Sequence, residues 1–246
     1  MFNFNGIDFS NLVQVMEISR PFLGTQSIAT TNLDGRAGSI FHKKIARDYD
    51  VSIKFMIKDN SPLELMNKIR NIASKLDTTK PKPLIFNDEP DKYIMAILDS
   101  TDLDKNNKYG IITASFYCPD PYWYAINDDI ITGTSGEKKY TRKGTVESFP
   151  IIEITGTSNG GKIAIKTDNQ SMTFSGTLKS GEKLIIDSIL LTAYIENSDG
   201  NRKSAIPYLN NVDFPVCYAG SNTINITGSD GASVSSYKLY CNTRWK

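Results

Sequence analysis

The chain has 246 residues, with 28 Lys and Arg against 27 Asp and Glu and a formal charge of +1. That length accommodates one large domain or two of roughly 120 residues, and so even a charge provides no overall field to recruit nucleic acid or an anionic membrane. Three separated cysteines, Cys118, Cys217 and Cys241, and the single histidine His42 supply neither a CxxC metal pair nor a disulfide framework, and any histidine-based catalysis would have to run through one residue.

No stretch approaches the ~18 apolar residues of a membrane span. The opening MFNFNGIDFS lacks the basic start and apolar core of a signal peptide. The expectation is a protein made and folded in a cytoplasm, without membrane insertion, whose sequons at Asn169 and Asn225 carry no glycan. The next segment, RPFLGTQSIATTNLDGRAGSIFHKK, is a Gly-, Thr- and Ser-rich stretch longer than most connections, and such segments are functional or need a partner to be ordered. His42, beside Lys43 and Lys44, reads as a solvated surface residue. Arg36, Lys43, Lys44 and Arg47 mix with Asp34, Asp48 and Asp50, as either a solvated charge mix or inter-subunit ion pairs.

In VSIKFMI, residues 51–57, Val51, Ile53, Phe55 and Ile57 alternate with polar residues, the period of a strand. NSPLELMNKIRNIASKL predicts a helix over about 62–76: Ser61 as N-cap, Pro62 at the first position, Glu64 completing a Ser-x-x-Glu box, and Leu63, Met66, Ile69, Ala73 and Leu76 as the apolar face. Tyr93–Leu98 and Tyr109–Phe116 read as paired strands joined by a polar turn, DSTDLDKNNK. Asp102, Asp104 and Asn106 there have the spacing that opens a calcium loop, but Asn107 and Thr113 replace its glycine and its closing glutamate, so a hairpin tip is expected and no metal. CPDPYWY then breaks the strand and presents three aromatics that either wedge a domain junction or stack on a sugar. The polar stretch that follows reads as a boundary near 125–148.

Within EITGTSNGGKI, Gly156, Gly161 and Lys162 mimic a P-loop, yet Ile163 stands where Mg²⁺-binding Ser or Thr belongs and the chain continues with period two. A Gly-rich hairpin, not a nucleotide site, is expected. From Phe149 onward about eight short strands at turn-separated spacing, without a helix signal, imply a β-sandwich or jelly roll.

The ordered landmarks, DGRAGSIFHKK, the strand DVSIKFMI, one helix, SFYCPDPYWY, and a second β unit running from FPIIEITG to FPVCYAGSNTINITG and Arg244-Trp245, resemble over the whole chain the distal tail proteins of siphophages that infect Gram-positive bacteria. The resemblance implies a mainly β protein with one helix: an N-terminal β-sandwich, 1–125, with an extended β-hairpin arm at about 24–44; a linker, 126–148; and a C-terminal galectin-like or jelly-roll β-sandwich, 149–246, whose last strand returns to the first domain in some relatives. It implies a non-enzymatic virion component at the distal end of the tail, assembled in the host cytoplasm, without cofactor, metal or specific nucleic acid. Its partners would be itself, in a hexameric ring, the tail-tube protein, the tail hub or tail-associated lysin, and a receptor-binding protein or cell-wall polysaccharide. The subunit interface would involve Gly24, Gly35, Arg36, Gly38, Lys43 and Lys44.

Other readings compete. A carbohydrate-binding module, or a sugar-binding variant of the tail protein, would stack sugars on Tyr208 or Trp245, with Tyr122 and Trp123 as further aromatics. A phage-tail-like bacteriocin would use the same ring. A glycosidase would need two facing carboxylates drawn from Glu147, Glu153, Glu182 and Asp187, whose spacing does not bring them together.

Overall fold

The computed structural model describes residues 1–246 and divides into two compact units, Met1–Ile126 with Lys246, and Asn127–Trp245. The first unit contains strands β1 (Phe2–Phe4), β2 (Ile7–Asp8), β3 (Gln14–Ser19), β4 (Gln26–Asn32), β5 (Ser39–Ala46) and β6 (Tyr49–Lys58), helix α1 (Pro62–Leu76), and strands β7 (Lys82–Phe86), β8 (Glu89–Lys105), β9 (Tyr109–Cys118) and β10 (Trp123–Ala125). Its main sheet runs β2-β1-β7-β8-β9-β6-β3, antiparallel throughout.

The β1–β2 turn is Asn5-Gly6 with φ of 52° and 77°, the left-handed pair that a two-residue hairpin requires. It places Phe2 against Phe9 with centroids 4.8 Å apart, and within 6.4 Å of Phe55; Phe4 lies 5.2 Å from Phe116. Strands near opposite ends of the sheet order therefore meet, so the sheet folds over an aromatic core. In β6 the expected alternation holds: Val51, Ile53, Phe55 and Ile57 are buried and Lys54 and Lys58 exposed.

The helix has the expected bounds, and Ser61 Oγ accepts from Glu64 N–H at 3.4 Å. The other half of the expected box is different: Asp59 Oδ1, not Glu64, takes the Ser61 N–H at 3.0 Å. The apolar face is also rotated from the one expected. Leu65, Ile72 and Leu76 are buried with Ile69 between them, while Leu63 is exposed. The 4-3-4 spacing of 65, 69, 72 and 76 makes the continuous stripe, and it packs on β6 and β9.

The stretch DSTDLDKNNK is not a turn for most of its length. β8 continues through Lys105 with a bulge between Leu98 and Ser100, and Asp102 and Asp104 pair with Thr113 and Ile111 of β9. Only residues 106–108 turn, capped by Asn106 Oδ1 accepting from the Lys108 and Tyr109 amides at 2.8 and 3.0 Å. Alternating Leu103 between aspartates is a strand signal that the density of charge concealed.

The second unit contains β11 (Ile130–Gly133), β12 (Gly136–Arg142), β13 (Ile151–Asn159), β14 (Lys162–Thr167), β15 (Ser171–Phe174), β16 (Thr177–Leu178), β17 (Lys183–Asp187), β18 (Thr192–Glu196), β19 (Arg202–Ser204), β20 (Gly220–Ser229) and β21 (Ser233–Tyr240). One sheet is β11-β21-β13-β17-β18-β19, with β16 on β13, and the other is β12-β20-β14-β15. Ile152, Ile154, Leu184, Ile186 and Leu239 from the first share one core with Ile163, Ile165, Phe174, Ile224 and Ile226 from the second. This is the expected sandwich.

Three expectations about this half are corrected. Residues 126–148 are not a linker, because β11 and β12 lie within them as integral strands. Tyr140 and Arg142 are buried in GEKKYTR while Lys139 and Thr141 beside and between them are exposed, so the polar composition hid a period of two over the end of the strand. The P-loop mimic is not a hairpin either: β13 and β14 belong to different sheets, and the chain crosses between them at Gly160-Gly161. A Cβ on Gly161 would lie 2.5 Å from Ala232 N, and one on Gly156 would collide with Ser233 O, so close backbone approach demands these glycines. Finally, SAIPYL forms a 3₁₀ turn at Ile206–Tyr208, and before Gly220 opens β20, FPVCYAG contributes only an isolated bridge between Ser148 and Cys217. Pro207 and Pro215 remove donors that a ladder would need.

Candidate functional site

The feature of the first unit that its own packing does not account for is the hairpin β4–β5. Its strands form a separate two-stranded sheet that pairs with nothing else in the chain, so both outer edges present unpaired backbone groups. No residue between Val13 and Tyr49 is buried. The turn at the tip uses Gly35 and Gly38 at φ of 77° and 83°, and Arg36 N–H closes it onto Leu33 O at 3.2 Å.

The base, by contrast, is pinned. Arg20 lies 4.5 Å over the Phe86 ring and 5.9 Å from the Trp123 ring, and pairs with Asp88 and, at 3.6 Å, with Glu89. The Tyr49 hydroxyl donates to Pro21 O, and burial pushes that phenol upward in pKa. Desolvation pushes the Asp88 carboxyl up, but the hydrogen bond and charge of Arg20 outweigh it and hold the group below its ordinary value. Thr25 N–H donates to Asp48 O, and Arg47 N–H to Thr25 O, each at 2.8 Å. Gly24 sits where a Cβ would be 2.5 Å from Asp48 O and 3.2 Å from Pro121 Cβ, so its role is close packing at the root of the arm.

Cross-strand register sorts the blade into two faces. Ile28, Thr30 and Phe41 share one face with Lys44; Ala29, Ile40 and Ile45 share the other with Lys43. The bulge opposite Ala29 and Thr30 inserts His42, which contacts Thr31 Oγ1 at 2.7 Å. Lys43 and Lys44 thus point in opposite directions, and Arg36 is at the tip. None of Arg36, Lys43, Lys44, Arg47, Asp34, Asp48 and Asp50 forms an ion pair in the chain. Phe41 is 61% exposed, Ile28 59% and Ile45 44%. These apolar residues escaped sequence reasoning, because in the primary sequence they are isolated among Thr, Ser and Lys; only the pairing collects them.

The remaining sequence candidates are dispersed. Trp123 is buried among Tyr49 and Phe86, at 6.1 and 6.0 Å, as core of the first unit. Tyr208 packs edge-on against Phe174 at 6.2 Å, with the Gly176 backbone against its ring and Lys203 Nζ 5.8 Å from its centroid; Trp245 is half-buried. Among the carboxylates, Glu153 pairs with Lys183 at 3.5 Å, Glu182 accepts from Lys179 N–H, and Asp187 accepts from the Ile189 and Leu190 amides. No cluster of three or more His, Cys, Asp or Glu side chains forms a metal cage, and no helix is long and apolar enough to cross a membrane.

With this geometry in hand, comparison with known proteins is specific. Residues 6–118 match the family described as the phage tail protein RIFT-related domain. The match lies within the first unit. The whole chain superposes on the Dit protein of phage SPP1, described as a paradigm of the hub adsorption apparatus in phages infecting Gram-positive bacteria, with a TM-score of 0.81 and 14% identity over 97% of this chain and 96% of that one. A chain of the phage p2 baseplate in its activated conformation with strontium matches with a TM-score of 0.50 and 10% identity over 94% and 90% of the two chains. No curated protein matches at the level of sequence. The siphophage tail domain and the Dit fold confirm the resemblance that the ordered sequence landmarks carried.

Proposed function

We propose that this chain is a non-catalytic distal tail protein whose copies close into a six-membered ring at the tip of a siphophage tail. The ring joins the tail tube to the hub or tail-associated lysin and anchors components of host adsorption. The single observation that carries the reading is the β4–β5 arm: rigidly rooted at Arg20, Gly24 and Tyr49, yet with both edges unpaired and its apolar side chains in solvent. An isolated two-stranded hairpin is marginal in water, so an arm of this kind obtains its missing partners from another chain by strand addition. In a head-to-tail arrangement such contacts propagate until the rotation per subunit closes a ring. The contact would bury on the order of 1,600 Å² or more, the size of a specific interface.

Class averages of negatively stained protein, alone and mixed with tube and hub proteins, test this. Six-fold rings are expected; particles that stay monomeric at high concentration and with both partners would reject the assignment.

A further inference from the structure

The second unit carries a buried polar cluster that a structural β-sandwich does not require. Arg142 is 2% exposed, and its guanidinium donates to Tyr218 O at 3.1 Å, to Ser148 Oγ at 2.8 Å and to Val146 O. All three acceptors are uncharged, so the cation is buried without a carboxylate, an arrangement that is costly unless another negative group answers it. Two thiols stand beside it, Cys217 and Cys241, both fully buried and both free. Tyr140 hydroxyl and Cys217 Sγ are 3.2 Å apart. Ser148 bridges the two cysteine segments: its backbone exchanges two 2.8 Å hydrogen bonds with Cys217, and its hydroxyl donates to Cys241 O at 2.5 Å.

The two thiols also neighbour each other: the Cys241 side chain shifts the pKa of Cys217 below its ordinary value despite burial, with Tyr140 and the Arg142 charge adding to the effect, while the Cys217 side chain and burial raise that of Cys241. One sulfur therefore lies beside a buried cation and the other is its neighbour, the arrangement that a nucleophilic and a resolving thiol need.

We propose that Cys217 and Cys241 are a dithiol that closes into an intrachain disulfide when the protein meets an oxidising medium. The oxidant is a small-molecule disulfide such as oxidised glutathione. Cys217 thiolate attacks one of its sulfurs, the small S–S bond breaks, and one small thiolate leaves and takes up a proton. Cys241 sulfur, losing its proton, then displaces the second small thiol from the mixed disulfide. Two protein thiols are oxidised and one small disulfide is reduced to two thiols. Both thiols are fully buried, so the reaction requires a local opening, for which the Asn210–Val216 segment, without a regular strand and leading directly into Cys217, is the candidate. The link would tie that segment to the end of β21.

The test is thiol counting on the intact chain, purified under reduction and then incubated with oxidised glutathione. The three free thiols should fall to one, the intact mass should drop by two hydrogens, and peptide mapping should join 217 to 241 with Cys118 still free. The variant Cys241→Ser should stop at the mixed disulfide on Cys217, and Cys217→Ser should not react. If the variants do not fold, the wild-type map alone decides. Three thiols remaining after prolonged oxidation, a stable wild-type mixed disulfide, or a link that includes Cys118 would each overturn the proposal.

Discussion

Phe41→Thr separates the stability of the chain from its assembly. Threonine keeps strand propensity and stands opposite Thr30 in the β4–β5 ladder, so the arm itself is preserved. Phe41 keeps 61% of its surface in solvent. Fully burying such a side chain contributes about 1.5–3 kcal/mol, so the exposed share offers about 1–2 kcal/mol to a partner. That corresponds to roughly a five- to thirty-fold weaker contact. The proposed ring of six would use one such contact per subunit, and its assembly midpoint would shift by about the same factor as the single contact. Mass photometry across a dilution series reads that shift, and differential scanning calorimetry reads the chain. The expected outcome is a higher concentration for ring formation with a melting temperature unchanged within error. As a contrast, Ile53→Ala in the core, where the side chain is fully buried, should cost about 2–5 kcal/mol and lower the melting temperature whether or not rings form. If Phe41→Thr melts like Ile53→Ala, the arm packs on its own body; if it assembles like wild type, the arm is not the contact. Either result refutes the reasoning.

Gly24→Ala should loosen the root of the arm, because the new methyl meets the Asp48 carbonyl at 2.5 Å; faster limited proteolysis between residues 20 and 48 is the expected signature. Asp88 has a folded pKa below its ordinary 3.8, so its contribution is present above that value and is lost as the pH falls through the lowered folded value. Asp88 is largely exposed although Arg20 is half-buried, so the effect is small and salt-sensitive; Asp88→Asn should flatten the acid limb of a melting-temperature profile, and an unchanged profile would remove the pair from the account of the root. Burial, with the charge of Asp50 adding to it, pushes the Cys118 thiol up to about 12, so iodoacetamide at pH 8 should leave Cys118 unlabelled until the first unit is denatured. Labelling of the native chain at that site would show the core of β6 and β9 to be open.

The sequence was most legible where local chemistry and tertiary packing agree. In β6 every second residue is apolar and every one of those is buried; at α1, Ser61 and Pro62 mark the start unambiguously. Reading failed where two periodicities were both available. Leu63, Met66, Ile69, Ala73 and Leu76 are spaced as well as Leu65, Ile69, Ile72 and Leu76, and only the position of β6 and β9 decides between the stripes. It failed again where charge outvoted alternation, in the Asp-rich end of β8 and in β12, whose inward Arg142 looks in sequence like one more surface cation.

The arm shows why its presence was legible and its chemistry was not. A long Gly- and Thr-rich segment is visible as something the core does not need, but the side chains that would meet a partner are defined by cross-strand register. One inserted residue, His42, turns Phe41 to the face of Ile28 while Ile40 joins Ala29 and Ile45. Without that bulge Phe41 would fall on the opposite face, and the pair Ile28–Phe41 would not exist. The proposed interface is therefore encoded by a backbone irregularity together with two residues, a dependence that composition and hydrophobic period do not register.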